Sequence, residues 1–304
     1  MIVWVRPNPL NFRIGTETAF LSNVSIGTSG WSYKEWEGIF YPSGEKRKLS
    51  YYARYFKTVE IDSTFYAFPK ENMIRGAIRS TPPDFVFSAK LPKVITHEKS
   101  LELAKGVQRD LTKFMLLMRP LEEEGKLGAL LVQLPPSFAY EEGLPKLRRF
   151  LEIIPRNVRF AVEFRNASWL GREDADDLLR SHNVARTIVD EPLLPPETGV
   201  TADFSFIRWH GQGKRLWYSY RYSEAELEAW VPKVREVASK VKKVYGYANN
   251  HPFGHAVETA LKEMELLGVT DKEQEALQAR VSKAIDARER PVARSDSLLG
   301  YVDP

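Results

Sequence analysis

Apolar and polar positions recur along this chain in a repeating two-part unit. From residue 24 onward, short runs rich in Val, Ile and Phe are each followed by a stretch in which apolar residues return every three or four positions. The first pattern belongs to a strand buried on both faces and the second to an amphipathic helix, so the repeat predicts βα units around a parallel sheet. The strand candidates are VSIGT from Val24, KTVEID from Lys57, DFVFSAK from Asp84, LGALLVQL from Leu127, VRFAVEF from Val158, VARTIVD from Val184, FSFIRWH from Phe204 and KVYGYA from Lys243. Eight units are what a (β/α)8 TIM-like barrel needs.

The intervening helices carry apolar stripes that should lie on the barrel wall: Val107, Leu111, Met115 and Met118; Leu144, Leu147, Leu151 and Ile154; Val257, Leu261 and Met264. Ser223 with Glu226 predicts a capping box, and Pro232 should interrupt the helix that the box opens. Pro192, Pro195 and Pro196 leave no room for an ordinary sixth helix, so an extended loop is expected there. The chain thus divides into an N-terminal extension, 1–23, a barrel, 24–268, and a C-terminal segment, 269–304. That segment holds one charged helix from about Asp271 to Arg290 and a polar tail.

Composition narrows the function classes. A chain of 304 residues, 43% of them hydrophobic, is long enough for one barrel with a full core and needs no second domain. The formal charge of +4 leans only slightly towards anionic partners, because part of it lies in solvent-facing runs such as Lys46-Arg47-Lys48. With no cysteine, disulfides, thiol nucleophiles and thiolate metal sites are excluded, which fits a reducing interior and predicts a cytoplasmic protein. No apolar stretch approaches membrane-spanning length, so no membrane partner is expected.

The segments IGTSGWSYKEWEGIFYP from Ile26, VEIDSTFYAFP from Val59 and FSAKLPKVITH from Phe87 closely resemble the YecE-like family of unknown function called DUF72. LVQLPPSF from Leu131, AVEFRNASW from Ala161, RWHG from Arg208 and YANNHPFGHA from Tyr247 continue the resemblance, which covers roughly residues 24 to 265. It implies a TIM-like barrel, in agreement with the strand count, and a site, but no reaction.

In such a barrel the residues ending each strand share one cup at the C-terminal face. That cup collects Thr28 and Trp31 after strand one, Glu60 and Tyr66 from strand two and its loop, and Lys90 and His97 from strand three and its loop. It continues with Gln133, then Glu163 and Arg165, then Asp190, then Arg208 and His210, and finally Asn249, Asn250 and His251. Glu60, Glu163, Lys90 and His210 are the candidate acid-base residues, and the others, the histidines apart, are candidate ligand contacts. His97 and His251, with a carboxylate, are candidate ligands for a divalent Zn, Mn or Mg ion, although the HPFGH spacing is no metal signature. The loop His210-Gly211-Gln212-Gly213-Lys214-Arg215 joins two glycines to two cations and reads either as an anion site or as a solvated turn. Aromatics crowd the first loop, where they either stack on a ligand or pack over the rim.

Three functions fit this cup. The first is a hydrolase acting on a phosphate-containing substrate, a nucleic acid or nucleotide, with Arg208, Arg165, Lys90, Lys214 and Arg215 on phosphate and Glu163 or Glu60 activating water, directly or through a metal. The second is a glycoside hydrolase using Glu60 and Glu163. The third is a non-catalytic protein that binds an anionic small molecule. A carboxylate pair tied up in salt bridges would count against the second.

Overall fold

The computed structural model describes residues 21–213 and 217–289. The expected N-terminal extension up to residue 20, the tail from 290, and Lys214 and Arg215 of the expected anion loop lie outside the described residues.

Every expected strand forms: β1 (Val24–Thr28), β2 (Thr58–Ile61), β3 (Val86–Lys90), β4 (Leu127–Gln133), β5 (Arg159–Glu163), β6 (Ala185–Asp190), β7 (Phe204–Trp209) and β8 (Lys243–Ala248). All pairings are parallel, in the order β1-β8-β7-β6-β5-β4-β3-β2. Between β1 and β2 the contact narrows to one bridge, Ser29 opposite Glu60, with the Gly30 N–H donating to the Glu60 carbonyl at 2.8 Å. Tyr52 stitches this seam, its hydroxyl accepting from the Thr28 N–H at 2.9 Å and donating to the Thr58 carbonyl at 3.1 Å. Gly27 permits the approach, since a Cβ there would stand 2.1 Å from the Thr58 carbonyl oxygen. The result is an α/β TIM-like barrel.

Inside the barrel, Ala129, Leu131, Ala161 and Ala185 face Phe204, Phe206, Tyr245 and Tyr247, small side chains on one half filling against large rings on the other. Because side chains alternate with period two, the residue two places beyond each plug residue also points inward, one layer higher. Leu131 is therefore followed by Gln133, Ala161 by Glu163, Phe206 by Arg208 and Tyr247 by Asn249. An apolar plug is roofed by a polar layer, and the strands' own periodicity puts it there.

The helices follow their stripes. Val107, Leu111 and Met118, then Leu147, Leu151 and Ile154, and then Val257, Leu261 and Met264 are buried. Ser223 and Glu226 make the reciprocal capping box of the helix Glu224–Glu228, and Pro232 lies in the first turn of the next helix, Val231–Lys240, where its missing N–H costs nothing. No helix occupies residues 191 to 203. The helix Lys272–Glu289 packs on His255–Leu267 and grips the first loop: Arg280 donates to the Ile39 and Phe40 carbonyls at 3.0 Å and Arg288 to those of Glu35 and Glu37 at 3.0 and 2.6 Å. Among the described residues no helix is long and apolar enough to cross a membrane.

Candidate functional site

Arg208, fully buried at the end of β7, is the hub of the polar layer. Its Nε and Nη2 donate to the two Glu60 carboxylate oxygens at 3.0 and 3.1 Å, and its Nη1 donates to Glu163 Oε2 at 2.7 Å. The other Glu163 oxygen accepts from Gln133 Nε2 at 2.8 Å and from Arg165 Nε at 2.7 Å. Lys90 pairs with Asp62 and stands 3.6 Å from Glu60 Oε1. Glu60, Asp62 and Glu163 thus meet Lys90, Arg165 and Arg208, a cluster balanced in charge, as buried ions require.

The electrostatics fix protonation states. Burial alone would raise the Glu163 carboxyl, but Arg208, Arg165 and His210 hold it well below the usual carboxylate range. Burial also opposes charge on Asp62, and Lys90 followed by Arg208 more than offsets it. His210 is pushed down to about 3 by burial and then by Arg208, so it is neutral at pH 7. Its Nε2 faces Arg208 Nη1 at 3.1 Å and Arg165 Nη2 at 3.3 Å, both pure donors. Its Nδ1 faces Asn249 Nδ2 at 2.8 Å, a third donor, so donors stand at both ring nitrogens and the neutral ring accepts at one of them.

Three acid-base assignments change on this geometry. Glu60 and Glu163 are fully buried with every carboxylate oxygen engaged, and His210 Nε2 faces two guanidinium groups. None of the three can take a proton from a ligand without dismantling the network. The glycosidase pairing fails for the same reason, since two carboxylates salted to one arginine leave neither with a proton to give. Lys90, only 7% exposed in its side chain, holds Asp62 as its counter-ion.

The other expected contacts divide by depth. Thr28 belongs to the β1–β2 seam. Asp190 accepts from Gln212 and Tyr222 at 2.7 and 2.5 Å, and Asn250 donates to the Tyr220 carbonyl and to Thr259 at 2.9 Å, so both shape the seventh and eighth loops. Trp31 packs against the core and accepts the Tyr41 hydroxyl on its carbonyl. Tyr66, in contrast, is 68% exposed. Arg165 keeps about a fifth of its side chain exposed, and its guanidinium carbon lies 5.9 Å from the Trp217 ring centre.

The two candidate metal histidines are separated by their surroundings. His97 meets Phe65 edge-on at 4.9 Å and places Nδ1 2.9 Å from Thr96 Oγ1. His251 is stacked between Tyr33, at 4.5 Å, and Tyr218, at 5.2 Å. Among the described residues no three His, Asp or Glu side chains gather where they could hold an ion, so the expected metal donor set does not form. The histidines are rim aromatics instead.

Glu191 was not anticipated. It follows β6, is 4% exposed, and its Oε2 is buried without a hydrogen-bond partner. Burial pushes its carboxyl up to about 7, against the pull of Arg165 and Arg208 and with the push of Glu163 and Asp190. Period-two counting through Thr187 and Val189 would have assigned it to the inward face.

The chain matches the family described as "Protein of unknown function DUF72" over residues 25–283. It is 25% identical to the UPF0759 protein YunF of Bacillus subtilis, with 81% of this chain and 95% of that protein aligned. With the UPF0759 protein YecE of Escherichia coli K12 it shares 30% identity, over 55% of this chain and 59% of the relative's length. Among solved structures, a DUF72 family protein from Thermotoga maritima superposes with a TM-score of 0.72 at 35% identity, covering 81% of this chain and 99% of the other. A DUF72 family protein from Enterococcus faecalis gives a TM-score of 0.73 at 24% identity, over 82% and 97% of the two chains, a likeness of fold.

Proposed function

The chain belongs to DUF72, a family whose description names no reaction, and from that premise we propose that its C-terminal face binds a phosphate-bearing ligand and hydrolyses it as a phosphoesterase. The observation that carries this reading is Arg165. It spends Nε on Glu163 and turns Nη2 towards His210, while its Nη1 has no bond among the described residues, at a position still open to solvent. A fork anchored at one end and free at the other suits a phosphate oxygen.

Lys90 would supply the second contact. Its present partner, Asp62, is the outermost carboxylate of the cluster, with about a quarter of its side chain exposed, and a phosphate group could take its place on the ammonium. Beneath both cations Arg208 holds Glu60 and Glu163 with every carboxylate oxygen engaged, so this network would hold the two contacts in place. Phosphoryl transfer asks little covalent chemistry of a protein, and preorganised positive charge is its principal catalytic device. Asp62, kept ionised, would orient the attacking water. Tyr66 and Trp217 border the opening as surfaces on which a base could stack, which favours a nucleotide or nucleic acid as the bearer of the phosphate. The cysteine-free composition is consistent with work in the cytoplasm.

The test is hydrolysis of abasic DNA, single-stranded DNA and simple nucleotides by the purified protein, with and without removal of divalent metal. Turnover that survives chelation and disappears in Arg165→Gln supports the reading. Ligand binding without turnover of any of these would leave an anion-binding protein and end the hydrolase proposal.

A further inference from the structure

We propose that the barrel carries a second ligand site at its N-terminal end, an open cleft beside the starts of β4 and β5 where Arg156 and Arg159 bind a phosphate group, free or as a small monoester. The cup lies at the opposite ends of the strands, so this inference goes beyond the proposed function and stands or falls independently of it.

The period of two that roofs the apolar plug with polar residues also gives it a floor. Two places before Ala161 stands Arg159, and two places before Tyr245 stands Lys243, so two cations point inward at the lower mouth. Tyr245 joins them. Its hydroxyl lies 3.4 Å from Arg159 Nη1 and its ring centre 5.8 Å from Lys243 Nζ. Neither cation has an ion-pair partner among the described residues, and Lys243 donates instead to Ser25 Oγ at 2.7 Å. Arg208 in the cup has two carboxylates, whereas this charge is uncompensated. Burial and then Arg159 accordingly lower the Lys243 ammonium from its ordinary value. Two like charges on one ring, one of them half-buried, are relieved by a bound anion.

Arg159 also lines a cleft of about 340 Å³. The turn leading from the helix Tyr140–Ile153 into β5 adds Arg156 and Asn157 to its lining, and Asn183, just before β6, contributes as well. Two carboxylates border the same cleft, and both are engaged. Glu122 Oε1 accepts from Asn157 at 2.5 Å, and Asp203 accepts from Asn183 at 3.1 Å and from Lys242 at 3.2 Å. The arginines keep most of their donors free. Arg156 makes one hydrogen bond, to the Ser181 carbonyl at 3.4 Å, and Arg159 makes one, to Tyr245. Two guanidinium forks with free donors in one cleft suit a phosphate, whose oxygens take such forks in pairs. The cleft has room for a small monoester as well as for the bare ion. Both arginines are exposed, so each contact is more screened than those in the cup, and this is the weaker phosphate site of the wild type.

Arg165→Gln removes the proposed cup contact, so phosphate held by that variant reports the lower site. Calorimetric titration of the full-chain variant with inorganic phosphate should show one bound ion. Adding Arg159→Gln or Arg156→Gln should weaken that binding by about tenfold to a hundredfold. Arg156 sits on the exposed turn before β5, so its variant carries the comparison if Arg159→Gln disturbs the strand. Lys240→Gln, which removes a positive charge from outside the cleft, should leave the affinity as it was. Ribose 5-phosphate, titrated in the same way, separates the two sources of the phosphate group. Tighter binding than that of the free ion identifies a monoester site, and equal binding a site for phosphate itself. Failure of Arg165→Gln to bind either probe overturns the inference and leaves the proposed function standing. An affinity unmoved by both arginine substitutions, or lowered as much by Lys240→Gln, overturns it as well.

Discussion

Arg208 clasps Glu60 through two parallel hydrogen bonds at 3.0 and 3.1 Å, and both side chains are wholly shielded from water. The same guanidinium holds Glu163 at 2.7 Å. Removing it would strand two buried carboxylates, and breaking a buried pair by deleting one partner costs about 3–5 kcal/mol. Arg208→Met should therefore lose about that much in urea unfolding, and adding Glu60→Gln with Glu163→Gln should recover a large part of it. If Arg208→Met alone unfolds like the wild type, the hub assignment is wrong.

The acid side of the stability curve should bear the mark of His210. Its value in the fold, about 3, lies far below that of an exposed imidazole. The unfolded chain then binds the extra proton first, so the histidine's contribution is intact above about pH 6.5 and is lost as pH falls below it, at roughly 1.4 kcal/mol per pH unit. His97 and His251, lowered chiefly by burial, act in the same direction. The depressed Glu163 carboxyl works in a lower window: its stabilisation is present above about pH 4.3 and disappears only as pH drops through its folded value. Denaturation midpoints between pH 7 and pH 5 should fall in the wild type and fall less steeply in His210→Gln.

On the helix His255–Leu267, Glu263 is fully buried, both its oxygens lack partners, and burial raises its carboxyl to about 8. Here the folded state holds the proton more tightly, so stability contributed by this group declines as pH rises from about 4.3 towards 8. Glu263→Met keeps the volume and removes the orphaned group. It should gain about 1–3 kcal/mol, with the larger gain on the alkaline side. Equal midpoints for variant and wild type at pH 9 would contradict this.

Two glycines make opposite predictions. A methyl group at Gly27 would meet the Thr58 carbonyl at 2.1 Å, so Gly27→Ala must push β1 from β2 and should cost about 1–3 kcal/mol or more. At Gly76, inside the helix Glu71–Arg79, nothing lies within 4 Å, and Gly76→Ala should stabilise by about 0.5–1 kcal/mol. Thermal unfolding of the two variants checks both signs.

The barrel was legible because its strands and helices carry different periods. Pro192 and Pro232 marked the irregular connection and the helix break by removing a backbone donor, a purely local effect. The cup was legible as a set of strand-end residues but not as a circuit. Nothing local distinguishes Glu163, whose oxygens are consumed by Arg208, Arg165 and Gln133, from Glu191, whose Oε2 is left over. That difference depends on which neighbours arrive from β4, β5 and β7, and so on the closure of the sheet. The same closure separates His97 from His251, which the sequence places together only as loop residues of one face.

The central claim is that Arg165 is the open cationic contact of the cup. Calorimetric titration of the wild type and of Arg165→Gln with inorganic phosphate tests it most directly. Loss of one charged hydrogen-bonding contact, at about 1.5–3 kcal/mol, predicts affinity lower by roughly tenfold to a hundredfold in the variant with the fold unchanged by circular dichroism. Phosphate binding of equal strength in the two proteins would contradict the account.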